Sequence, residues 1–311
     1  MENELTTAAA ALEPRGDLSA QILTRFIDFL DVSPQTVKTY SNGIRQFFRF
    51  MELYQIDRPR REDVLAFREE LRAVCKPATV QAYITALHLF FKWTAAAGIY
   101  PNIAEHVKGA KISKEHKKDY FTPAQVKAIL QSIDRDTIRG KRDFAIISLM
   151  VTSGLRDIEL HRADVGDLRT RGGSTVLYIC GKGKAEKADF VKVVPEVETA
   201  IRDYLRARGR PGAGQPLFTS ASNNSTGGRL SVRSISGTAK RCFIAAGYDS
   251  DRLTAHSLRH TAVTLALLGG ASLQEAQQFA RHSNISTTQI YAHNLDRERN
   301  QCAEIIGKTV F

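Results

Sequence analysis

The sequence predicts a mainly α-helical protein with one small β-sheet, divided into an all-helical N-terminal domain and a larger α+β domain. Three observations lead there. Residues 17–100 place their apolar side chains at helical spacing. Residues 101–120, PNIAEHVKGAKISKEHKKDY, open with proline, lose that spacing and carry five lysines, as an interdomain linker would. Beyond residue 121 the helical pattern resumes, but two β-type segments, VLYICG (176–181) and ADFVKVVP (188–195), flank the turn Lys182-Gly183-Lys184.

Taken in order, residues 1–16 open acidic, lack the basic start of a secretory signal and read as a disordered lead. The first helix is LSAQILTRFIDFL, with Asp17 a candidate N-cap. The second opens at Ser33-Pro34, a cap followed by proline at the first helical position, and carries Val37, Tyr40, Ile44, Phe47, Phe48 and Met51 on one face. The third spans about 61–74. The fourth opens at Pro77 and carries Val80, Tyr83, Ile84, Leu87, Phe90 and Phe91 before Gly98, which fits a helix C-terminus. These aromatic stripes read as core rather than as platforms for stacking bases. The second domain, 121–293, starts at the capping sequence Thr122-Pro123-Ala124-Gln125. Helices are expected near 123–133 and 140–152, then the two strands, then helices near 196–208, 231–246, 256–268, 272–281 and 285–292. The tail, 294–311, is polar at first and then apolar at Ile305, Ile306, Val310 and Phe311, as in a terminal segment that docks on something.

The composition, 43% hydrophobic and 25% charged, is that of a soluble globular chain, and no window approaches the apolar length of a membrane span. The four cysteines stand far apart without metal-ligand spacing, so a reduced, cytoplasmic setting is expected and neither a disulfide framework nor a zinc site is suggested. Lys and Arg number 44 against 33 Asp and Glu, a net charge of +11. Residues 1–100 carry 12 of each sign, whereas residues 121–311 carry 27 basic and 18 acidic side chains. A basic second half suits a polyanionic partner, although charge alone fits a merely basic soluble protein equally well.

Four stretches concentrate chemistry. In TSGLRDIEL (152–160) a glycine ends one helix, Arg156 stands at the mouth of the next, and Glu159, one turn on, can hold Arg156 in place. Gly181-Lys182-Gly183-Lys184 sits at a hairpin tip, where flanking glycines let a lysine approach a backbone closely. It is not a phosphate-binding P-loop, since the spacing that motif needs is absent. In HSLRH (256–260) the i, i+3 spacing puts His256 and Arg259 on one helical face. Arg281-His282 is followed nine residues later by Tyr291. Singly, each residue has an ordinary structural explanation: a surface arginine, a turn lysine, a capping histidine, a half-buried tyrosine. Together they suit phosphoryl transfer without a metal. Guanidinium forks neutralise the charge that builds on a phosphodiester, a phenol can act as covalent nucleophile, and a lysine can protonate the leaving alkoxide. The paired carboxylates of a two-metal nuclease are not evident.

In this order and spacing the boxes resemble those of the phage-integrase, or tyrosine recombinase, family, over about residues 17–311. The resemblance implies a SAM-like core-binding domain at 17–100 and an α+β tyrosine recombinase catalytic domain. It maps the catalytic arginines to Arg156 and Arg259, the supporting acid to Glu159, the hairpin lysine to Lys182 (with Lys184 and Lys187 nearby), the histidines to His256 and His282, and the nucleophile to Tyr291. One departure stands out: the family commonly has glycine where this chain has Arg281, whose side chain is expected to point away from the packed helix, towards phosphate. The resemblance further implies a 3′-phosphotyrosine intermediate, no cofactor, duplex DNA with paired recombination sites as partner, a homotetramer joined by the C-terminal tail with 294–301 as a polar linker, and two domains clamping the duplex. Thr36, Lys38, Tyr40, Lys76 and Thr79, with Lys111 and Lys114 of the linker, are candidate DNA contacts alongside Arg281. With only about sixteen residues before the first helix, no separate arm-binding domain is expected. A bacterial, nucleoid-associated location and an accessory directionality factor complete the expectations. The alternatives are a type IB topoisomerase, which shares the chemistry, and a non-catalytic DNA-binding regulator.

Overall fold

The computed structural model describes residues 16–111, 119–181, 186–221, 227–298 and 301–310, so Lys114, Lys182 and nearly all of the expected lead lie outside the described residues. The chain divides into two compact units, Met1–Lys114 and Glu115–Phe311.

The first unit consists of α1 (Gly16–Phe29), α2 (Pro34–Leu53), α3 (Arg61–Val74) and α4 (Pro77–Ala96). Ser33 starts α2 by accepting the Thr36 N–H at 3.3 Å, with Pro34 supplying the first turn's fixed φ. The aromatic stripes turn inwards: Phe47 is fully buried and meets Phe67 and Phe91 edge-on, with ring centroids 5.3 and 5.9 Å apart. Gly43 lets α2 approach α4, since a Cβ there would lie 3.0 Å from the Tyr83 ring. The expected linker, 101–120, is a different matter. Ala104 and Val107 are buried in this same core, His88 Nε2 hydrogen-bonds the Val107 carbonyl at 2.8 Å, and Arg68 donates to the Lys108 carbonyl at 2.8 Å. Residues 101–111 therefore pack on the helical unit instead of forming a tether, because two apolar side chains among the lysines suffice to seat them.

The second unit contains α5 (Pro123–Gln131), α6 (Ile138–Ser153), α7 (Asp157–His161), a 3-10 turn at Val165–Asp167, β1 (Leu168–Arg171), β2 (Ser174–Ile179), β3 (Asp189–Lys192), α8 (Pro195–Ala207), α9 (Val232–Ala245), α10 (Ala255–Leu268), α11 (Leu273–Ala280), α12 (Ile285–Glu298) and α13 (Cys302–Val310). Helix α6 runs through its centre, with Ala145, Ile146, Ile147, Leu149 and Met150 all fully buried. The sheet is antiparallel in the order β1-β2-β3, with Leu168 opposite Leu177 and Ile179 opposite Asp189. Strand β1 was not among the expected elements, and α12 runs to Glu298 through the stretch expected to be a polar linker, because Leu295 buries against the domain. Among the described residues no helix is long and apolar enough to cross a membrane.

Candidate active site

The site is assembled where two chain reversals meet the helices α10 and α12. Helix α6 ends at Gly154, whose backbone is left-handed (φ 59°) and where a Cβ would stand 3.1 Å from the Phe279 ring. That reversal places Arg156 at the start of α7. Glu159, fully buried, accepts the Arg156 N–H and its Nη1, both at 2.8 Å, so the carboxylate caps the helix and grips the guanidinium at once. Helix α10 brings Arg259, 1% exposed, into the same space, where its fork donates to the carbonyls of Gly154 and Ala280. Helix α11 ends at Arg281, again left-handed (φ 54°), and delivers His282. His282 Nδ1 is hydrogen-bonded to the buried Thr288 hydroxyl at 2.9 Å. From α12, Tyr291 is 6% exposed, packs with Val263 and Ala280, and hydrogen-bonds Nδ1 of His260 through its phenol.

The Arg281 side chain does not point outwards. Its Nη2 donates to Glu159 Oε2 at 2.9 Å and to the Gly154 carbonyl at 3.1 Å, and its Nη1 donates to the Phe279 carbonyl at 2.9 Å. The buried Glu159 carboxylate needs more than one cationic partner, and Arg281 is the second. Two guanidinium groups thus grip one carboxylate, and a third, that of Arg259, lies within electrostatic reach of all three. Burial, together with the charges of Arg156 and Arg281, pulls Arg259 down to about 9. Burial and the charges of Arg259, Arg156 and Arg281 pull His282 down to about 4, so His282 is neutral at pH 7. Glu159 is held below the usual carboxylate range, since Arg281 and Arg156 outweigh its burial. Burial lifts the Tyr291 phenol to about 12, against the opposing pull of Arg259 and Arg156. Such an excess of positive charge invites an anion with several acceptor oxygens. Among the described residues no three His, Cys, Asp or Glu side chains converge as a metal site.

Arg156, Glu159, Arg259, His282 and Tyr291 are therefore brought together. His256, exposed on α10, stands at the edge of this group, within electrostatic reach of His282 and with its ring edge-on to His260 at 4.5 Å. Of the hairpin lysines, Lys187 is committed elsewhere: its Nζ donates to Asp164 Oδ2 at 2.7 Å and to Asp167, and these carboxylates outweigh its burial and raise its pKa. Among the candidate DNA contacts, Lys38, Lys76 and Lys111 are exposed. Thr36 is engaged in capping α2 through its hydroxyl bond with Ser33, 2.9 Å long, and Tyr40 packs against the helical core. Sequence reasoning missed His260 and Thr288. The signals were there: His260 is i+4 from His256, and Thr288 is i−3 from Tyr291.

The phage integrase family is matched over residues 119–298, and the N-terminal SAM-like domain of phage integrases over residues 20–99. The chain belongs to this family, the tyrosine recombinases, enzymes that cleave and rejoin DNA. A tyrosine recombinase of Synechococcus elongatus is 29% identical over 290 residues, 89% of this chain and 90% of the relative. XerC of Pelobacter propionicus is 31% identical over 277 residues, 86% of this chain and 87% of the relative. The fold is shared with the XerH recombinase bound to its palindromic difH substrate after cleavage (TM-score 0.75, 20% identity, 93% of this chain and 85% of that one). It is also shared with the lambda integrase of a tetramer bound to a Holliday junction (TM-score 0.67, 16% identity, 88% and 76%).

Proposed function

We propose that this chain is a site-specific recombinase that cuts DNA with its own Tyr291 in the pocket of its own guanidinium groups. The observation that carries the reading is the phenol of Tyr291 sharing one buried pocket with Arg259 and His282, within electrostatic reach of Arg156. Arg156 and Arg259 hold the non-bridging oxygens of the scissile phosphate and stabilise the charge that grows on them. Neutral His282, oriented by Thr288, donates a hydrogen bond to the same phosphate, and His256 adds another. Tyr291 Oη bonds to phosphorus, the bond to the 5′-oxygen breaks, and Lys182 protonates that oxygen as it leaves. The phosphotyrosine keeps the energy of the broken ester, so a 5′-hydroxyl from a partner strand reverses the step without a nucleotide cofactor. Two such exchanges on paired sites, in a tetramer tied together by the C-terminal helix, complete recombination. Lys38, Lys76 and Lys111 contribute contacts to the DNA backbone.

A nicked suicide substrate tests this. Wild-type protein is expected to form a denaturant-stable protein–DNA adduct, and Tyr291→Phe to form none while retarding the same DNA on a native gel. An adduct from Tyr291→Phe would remove the nucleophile assignment. Two-site recombination without comparable plasmid relaxation separates this function from a topoisomerase.

A further inference from the structure

We propose that His260 is the base that takes the Tyr291 proton, an inference that rests on the reading of Tyr291 as nucleophile. His260 immediately follows Arg259 on α10 and is 5% exposed. Its Nδ1 is hydrogen-bonded to the Tyr291 hydroxyl, with the two ring centroids 5.2 Å apart. The histidine therefore touches the reacting oxygen itself, and helix packing holds both partners in place. His256, on the exposed side of the same helix, meets the other ring edge-on at 4.5 Å and so braces His260.

The chemistry needs such a group. A phenol raised to about 12 is ionised to only about one part in 10⁵ at pH 7, so attack requires the proton to leave as the bond to phosphorus forms. The step balances. The Oη–H bond breaks and an Nδ1–H bond forms on neutral His260; the Oη–P bond forms and the bond from phosphorus to the 5′-oxygen breaks; Lys182 gives that oxygen a proton. On rejoining, the imidazolium returns its proton to the departing phenolate and the incoming 5′-hydroxyl gives its own to Lys182. The pair is self-resetting and consumes nothing. Tyr291 is thereby primed by its own chain, through a residue one position away from the arginine that grips the phosphate.

The discriminating variant is His260→Asn, whose amide reaches the place of Nδ1 and can hold the phenol but cannot accept its proton. Single-turnover adduct formation on the nicked substrate is expected to slow by about 100-fold, with DNA retention on native gels within about twofold of wild type. A substrate with a 5′-bridging sulfur, which needs no acid on its leaving group, should leave that defect in place. Replacing Tyr291 by 3,5-difluorotyrosine, a more acidic phenol, should speed His260→Asn more than it speeds the chain with His260 intact. Adduct formation by His260→Asn within threefold of wild type would overturn the proposal, and so would a fluorinated phenol that gives no greater gain in that variant. Absence of any adduct from wild-type protein would instead overturn the recombinase reading, and this proposal with it.

Discussion

Arg281 occupies a left-handed backbone position that costs a non-glycine residue about 1 kcal/mol. What offsets the cost is its buried grip on Glu159 and on the carbonyls of Gly154 and Phe279. Arg281→Gly would relieve the backbone but leave Glu159 with Arg156 alone, so a net destabilisation of about 1–3 kcal/mol in urea unfolding is expected. The same change removes a positive charge that helps hold His282 near 4. Removing a cation favours the protonated imidazole, so the His282 resonance should titrate at a higher pH in Arg281→Gly than in wild type. An unchanged His282 titration would show that burial and the other two arginines account for the whole depression. The grip itself was not legible in the sequence. Arg156 with Glu159, and His256 with Arg259, are readable because they lie one helical turn apart. The Arg281–Glu159 contact joins positions 122 residues apart and the His260–Tyr291 contact positions 31 apart, and only tertiary packing brings them together.

At the scale of elements, the hairpin between β2 and β3 is tied at both feet. Arg162 donates to the Gly181 carbonyl at 3.2 Å on one side, and Lys187 is clamped by Asp164 and Asp167 on the other. Arg229 shares Asp164 and so extends the anchor to the segment before α9. Lys187, kept charged and bonded there, serves the scaffold, which keeps the proposed general acid at Lys182. Lys187→Met should unseat the hairpin without touching the acid itself. Cleavage of an ordinary phosphodiester is expected to fall about tenfold, and cleavage of the 5′-bridging sulfur substrate to fall much less, since that leaving group needs no proton. Equal losses on both substrates would mean that the anchor supports the fold of the domain rather than delivery of the lysine. The strands flanking the turn were legible from their β-branched and aromatic runs. Strand β1 was not, since three of its four residues are exposed and its arginines lie over Tyr178 and Phe190 rather than alternating with apolar side chains. The usable signal was Gly172-Gly173, both at positive φ, the pair a tight hairpin turn requires.

Across the whole molecule, helical periodicity suggested units at 17–100 and 121–293 with a linker between them, whereas the structure groups Met1–Lys114 and Glu115–Phe311, and the margins are where pattern and packing part. The lysine-rich stretch after 101 looked like a tether because Ala104 and Val107 are too few to make a pattern, yet both are buried. The end of the chain shows the opposite case. Helix α13 leaves Ile305, Ile306 and Val310 at 60%, 61% and 66% exposed, apolar side chains that the domain itself does not cover. Burying such a side chain fully is worth about 1.5–3 kcal/mol, so three of them on a neighbouring subunit would contribute materially to assembly but nothing to chemistry in the pocket around Tyr291. Ending the chain at Gln301 separates the two. Adduct formation on a single nicked site should stay within about twofold of the full chain. Recombination between two sites should fall by at least tenfold, and the slow-migrating paired-site complex should be lost from native gels. The double substitution Ile305→Asp with Ile306→Asp, which keeps the length of the chain, should reproduce the defect. Full recombination by both altered proteins would show that the tail plays no part in joining subunits. Loss of single-site cleavage would show that the helix supports its own active site instead.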